Sequence, residues 1–116
     1  MSNISNFGDR IWAGDPGAVE EAYQKYLADP EGHLIPYAVA CYSFRSKESC
    51  AAQLLALRTK LMALAERELH ANRFDEPLRR ANLADVLSTH FEWMSRHEDL
   101  RPDQREELWK LADRMY

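Results

Sequence analysis

Residues 51–70 read AAQLLALRTKLMALAERELH, and this stretch decides the fold. Leu54, Leu57, Leu61 and Leu64 recur at intervals of three and four, and Leu55, Met62 and Leu69 recur on an adjoining stripe. That spacing predicts an Ala- and Leu-rich helix with a wide apolar face, running from the polar break at Arg45–Ser49 to about His70. A face that wide asks for more than one packing partner.

Just upstream, residues 36–44 read PYAVACYSF, with no charge on any side, which is the composition of a central helix surrounded by others. Asp29, Pro30 and Gly32 form the turn before it. Further back, Asp15 followed by Pro16 predicts a helix start: the carboxylate accepts from orphan N–H groups, and proline gives up a donor that had no partner. That helix runs to about Ala28. Val19, Ala22, Tyr23, Tyr26 and Leu27 form its inner face, and Glu20, Glu21, Gln24 and Lys25 point outward. Ile4, Phe7, Ile11 and Trp12 predict a short first helix ended by Gly14.

Downstream, Asn72 to Pro77 marks a break with Asp75 as cap. A helix follows to about Arg96, burying Leu83, Val86, Leu87, His90, Phe91 and Met94. Pro102 opens a last helix in which Leu108, Leu111, Ala112 and Met115 repeat at helical spacing, with Asp103, Glu106 and Glu107 in its N-terminal turns. No segment alternates with period two, and Val and Ile together occur six times, so a sheet has little to be built from. The expectation is an all-α fold: a compact bundle of five to six helices, mostly antiparallel between neighbours, forming a single helical domain over residues 1–116.

The charge balance excludes some classes of function. Nineteen acidic and fifteen basic residues give a net charge of −4 and a pI near 5.5. That sign disfavours a protein living on nucleic-acid phosphates or anionic lipid. The N-terminal residues lack a basic region followed by an apolar run, and the longest weakly polar stretch, residues 34–44, contains Pro36 and is half the length of a membrane span. Two cysteines make no disulfide framework, so the expectation is a cytoplasmic protein with free thiols.

The remaining question is whether any cluster carries chemistry. His90 and His97 share a helix face but lie about 10 Å apart along it, too far for one zinc ion, and no E-x-x-H pair accompanies them. Neither a metal nor another cofactor is expected. Cys41 falls in the uncharged helix, where a thiolate is disfavoured, whereas Cys50 follows a polar break near a helix start and is the thiol to watch. There is no G-x-S-x-G and no glycine-rich phosphate loop, so the reading leans away from an enzyme. Arg73, Arg79 and Arg80 cluster, but no run of base-reading residues follows them.

Aromatics are the most suggestive feature. Trp12, Trp93, Trp109 and Tyr116 do not all fit inside a core of this size. Trp109, beside the Leu108 and Leu111 line, is assigned to the core edge, and Trp93 lies off the Leu87, Phe91 and Met94 line. Trp93 and Arg96, with the acidic pair Glu98 and Asp99, have the composition of a binding hot spot. The favoured function is therefore a protein-binding module, an adaptor, inhibitor or immunity or antitoxin-like neutraliser, whose acidic surface guides a partner with a basic surface. Self-association as a homodimer through an uncovered helix face accompanies that reading. The competing class is a ligand sensor or small enzyme with a pocket near the 36–44 helix, using Cys41, Tyr42 and His90.

Overall fold

A computed structural model describes residues 10, 13–71 and 83–115 of the chain. Among them are six helices and no strand: α1 (Pro16–Ala28), α2 (Pro30–Ser43), α3 (Glu48–Ala56), α4 (Arg58–His70), α5 (Asp85–Ser95) and α6 (Pro102–Arg114). The all-α expectation holds. The helices fall into two units, Met1–Leu57 with α1 to α3 and Arg58–Tyr116 with α4 to α6.

In the first unit the Asp-Pro signature works twice. Asp15 accepts from Gly17 N–H at 2.9 Å and caps α1, with Pro16 in the first turn. Gly14 has φ +79°, and Asp15 N–H returns to Arg10 O at 2.9 Å, so the chain reverses there through a left-handed glycine as the sequence implied. The helix predicted around Ile4, Phe7 and Ile11 otherwise lies outside the described residues, as does Trp12. Asp29 repeats the cap on α2, accepting from Gly32 N–H at 3.2 Å, with Pro30 in the first turn.

Of the segment read as a turn at 29–32, residues 30–32 are therefore already helical, with Asp29 as the cap. What remains of the break is a kink at His33 (φ −121°, ψ 15°), in the turn preceding Pro36. Pro36 has no N–H to continue the ladder, and its ring crowds the carbonyl four residues earlier, so the irregularity falls where proline puts it. Residues 36–43 form the rest of α2, with Phe44 at its C-cap, and Tyr37, Ala38, Ala40 and Cys41 are buried there.

The buried stripe of α1 is Ala18, Ala22 and Tyr26, spaced by four. Leu27, assigned to that face, is 54% exposed because it sits about 100° further round the helix. Tyr37 lies between two α1 rings, stacked on Tyr26 and tilted against Tyr23. Arg10 joins the start of α1 to its second turn, with Nε 3.0 Å from Asp15 Oδ2 and Nη1 2.9 Å from Glu21 Oε1. Those hydrogen bonds hold both carboxyls below their ordinary range.

The predicted continuous helix to His70 is two helices. Leu57 (φ −83°, ψ −3°) interrupts it, although its N–H still bonds Gln53 O at 3.0 Å. No glycine or proline marks the position. Leu54, Leu57 and Leu61 are buried as expected, and Leu64 is half-buried.

In the second unit α5 packs along α6, and α4 also touches α6. Leu87, Phe91 and Met94 of α5 and Leu108, Leu111 and Ala112 of α6 are buried, as is Met115 just beyond. This matches the predicted faces, with Ser88 added and Leu83 and Val86 only half-buried. Ser88 is tolerated there because its hydroxyl donates to Asp85 O at 3.2 Å. Arg114 Nη1 meets Glu66 Oε1 at 2.7 Å, tying α4 to α6. The break and cap at Asn72 to Pro77, and the Arg73, Arg79 and Arg80 cluster, lie outside the described residues.

Candidate functional site

The α5 to α6 corner brings together what the sequence left apart. α5 stops at Arg96, whose N–H bonds Trp93 O at 3.2 Å, and the link is pinned by buried Leu100, whose N–H reaches His97 O. Pro102 then starts α6, and Gln104 Oε1 accepts from Arg101 N–H at 2.9 Å. The link is therefore short and locally bonded, which fixes where its neighbours point.

Along α6 two stripes run in parallel. Leu108, Leu111, Ala112 and Met115 form the buried one, at i, i+3, i+4 and i+7. Pro102, Arg105, Glu106 and Trp109 repeat that spacing about a third of the way round the helix. With Ser95 and Arg96 from the end of α5, this second stripe lines a shallow depression of about 520 Å³.

Trp109 is 53% exposed, so the assignment to the core edge is overturned. Its neighbour Leu108 takes the buried position, and a step of about 100° carries the indole onto the open stripe. The signal was present in the sequence as the 102, 105, 106, 109 repeat.

The charges at the depression are unevenly matched. Among the described residues, no carboxylate forms an ion pair with Arg96 or Arg105. Arg105 Nε is shielded from solvent and has no acceptor among the described residues. Glu106 is drawn to Lys110, with Oε1 3.6 Å from Nζ. The Ser95 hydroxyl donates to Glu92 O at 2.7 Å, so it is occupied within its own helix.

A second depression, of about 310 Å³, lies between Arg58, Thr59 and Met62 on one side and Arg101, Asp103, Gln104 and Glu107 on the other. There the charges are balanced. Arg101 lies 3.1 Å from Asp103 Oδ1 and 3.3 Å from Oδ2, and this hydrogen bonding raises the guanidinium pKa and lowers that of the carboxyl.

Of the four residues assigned to partner binding, only Arg96 lines the first depression. Trp93 is half-buried, its ring tilted against His97 with centroids 5.2 Å apart. Glu98 and Asp99 are exposed in the link, and Asp99 N–H donates to His97 Nδ1 at 3.2 Å. Arg105 and Trp109 were not among the assigned residues.

The alternative pocket draws on Cys41 and Tyr42 of the first unit and on His90 of the second. Cys41 and Tyr42 belong to α2, and His90, buried, belongs to α5. None of the three lines either depression. Arg45 covers the Tyr42 ring, with its guanidinium carbon 4.1 Å from the centroid. Burial pushes the Cys41 thiol up to about 11, outweighing its hydrogen bond with Tyr37, so the thiolate needed for a nucleophile is disfavoured at neutral pH. Cys50 is also a free thiol and is buried.

Among the described residues, no three His, Cys, Asp or Glu side chains gather in a way that could hold a metal ion. No helix among them is long and apolar enough to cross a membrane. Comparison with protein-family models, with curated proteins and with solved structures finds no match to this chain.

Proposed function

We propose that this chain is a small cytoplasmic protein-binding module, of the adaptor, inhibitor or antitoxin-like kind, that holds its partner with Trp109 and Arg96. One observation carries the reading: an indole 53% exposed sits at a depression beside two guanidiniums that have no carboxylate partner among the described residues. Tryptophan and arginine dominate binding hot spots because each offers a large contact area with a directional polar group. Both cysteines are free thiols, which fits a reducing compartment.

The net charge of −4 acts at longer range, where it favours the approach of a basic surface and raises the association rate more than the final affinity. Affinity capture with the full chain from its source cell, followed by mass spectrometry, tests the proposal. The expected result is a protein retained by the native chain and lost from both Trp109→Ala and Arg96→Ala, each folded by circular dichroism. A partner retained equally by both variants would overturn the site, and the absence of any specifically retained protein would overturn the function.

A further inference from the structure

We infer that the depression at the α5 to α6 corner is a carboxylate-recognition site, taking an acidic side chain of the partner's contact segment together with an adjacent apolar residue. The inference rests on the protein-binding reading and names the partner's contact chemistry.

The charge complement comes first. Arg96 and Arg105 face a site in which the one acidic residue of the described lining, Glu106, is drawn to Lys110. A guanidinium presents a planar fork that matches a carboxylate, and such charge-assisted hydrogen bonds are about twice as strong as neutral ones. The second observation is the shielded Nε of Arg105, a donor without an acceptor among the described residues. A buried donor left unmatched is unfavourable, and a small reorientation of the guanidinium onto an incoming carboxylate would supply the missing acceptor. The third is Trp109, whose exposed ring lies one turn beyond Arg105 on the same stripe and offers an apolar platform for the neighbouring residue.

The local sign at the depression is thus opposite to that of the whole chain. A partner with one carboxylate anchor on an otherwise basic surface satisfies both.

Selection of a random dodecapeptide library on the full chain, with affinities of the recovered peptides measured by calorimetry, tests the inference. Recovered peptides should share an Asp or Glu next to an apolar residue. Arg96→Glu and Arg105→Glu should each weaken them by roughly tenfold to a hundredfold, and Asp→Asn or Glu→Gln in the peptide should do the same. Arg96→Ala, at an exposed position, provides a variant whose folding is not at issue.

Recovery of basic peptides, of acidic peptides indifferent to both arginines, or of none would overturn it. A salt-sensitive dimer of the chain, seen by light scattering and abolished by Arg96→Glu, would also overturn it, by assigning the depression to a second copy. Basic peptides that are lost on Trp109→Ala would end this inference while leaving the protein-binding proposal standing.

Discussion

The Tyr26 and Tyr37 rings stack with centroids 5.1 Å apart and planes 26° from parallel, an aromatic contact that joins α1 to α2. Tyr37 is buried and also meets Tyr23, so it makes two ring contacts with α1. Removing the ring deletes both contacts and leaves a cavity. Tyr37→Ala should therefore lower the unfolding free energy by about 3–5 kcal/mol, the range for a buried aromatic, whereas Tyr37→Phe keeps the stacking and should lose far less. Urea midpoints for the two variants check this, and equal losses would mean that the hydroxyl, not the stack, matters.

The same corner predicts alkaline sensitivity. Burial raises the Cys41 thiol from 9.0 to about 11 and moves the Tyr37 hydroxyl well above the ordinary tyrosine range. In the folded chain both groups hold their protons more tightly than in the unfolded chain. Stability is then complete below pH 9 and falls as pH rises through 11, because the unfolded chain ionises first. At about 1.4 kcal/mol for each pH step, Cys41 alone accounts for a loss on the order of 3 kcal/mol. Denaturant midpoints between pH 8 and 11 should drop steeply in the native chain and less in Cys41→Ala. An unchanged slope in that variant would remove Cys41 as the cause.

At the start of α1, Gly14 occupies the left-handed region at φ +79°, where nothing among the described residues lies within 4 Å of an added Cβ. The effect of substitution there is conformational and not steric. Gly14→Ala should cost about 1–2 kcal/mol, and Gly14→Asn less, since asparagine visits that region more readily. Asp15→Ala should cost about 1 kcal/mol through the lost cap. Thermal melts of the three variants check the ranking.

These local features show what was legible in the sequence and what was not. Asp15-Pro16 could be read because cap and proline act within one turn. Asp29-Pro30 carries the same chemistry, but Gly32 and the kink ahead of Pro36 made it look like a turn. The interruption at Leu57 has no breaker residue, so no propensity signals it. Trp109 adjoins the Leu108 and Leu111 line in sequence, which suggests the core edge, yet it belongs to a separate stripe with Pro102, Arg105 and Glu106. The depression needed the path of the 97–101 link as well, and that path depends on Leu100 being buried, which periodicity within a helix does not report.

The Glu66 to Arg114 pair is short, at 2.7 Å, yet both side chains are more than half exposed. Solvent screening and the entropy of ordering two long side chains offset most of the attraction. A double-mutant cycle with Glu66→Ala and Arg114→Ala should give a coupling below about 1 kcal/mol that shrinks further in high salt. A larger, salt-independent coupling would mean that the pair is desolvated in solution.

Leu108 and Trp109 are adjacent in sequence and opposite in consequence. Leu108 is 0% exposed on the buried stripe of α6, and Trp109 is 53% exposed on the open one. Leu108→Ala removes apolar contacts that nothing nearby replaces, so it should destabilise the fold by about 2–5 kcal/mol. Trp109→Ala removes a larger side chain from a half-solvated position, and the change should stay within about 0.5 kcal/mol. Binding should reverse the order. Under conditions where both variants are folded, partner retention should be lost in Trp109→Ala and kept in Leu108→Ala. If Trp109→Ala instead unfolds the chain as Leu108→Ala does, the indole serves the core, and its role at the depression falls with that result.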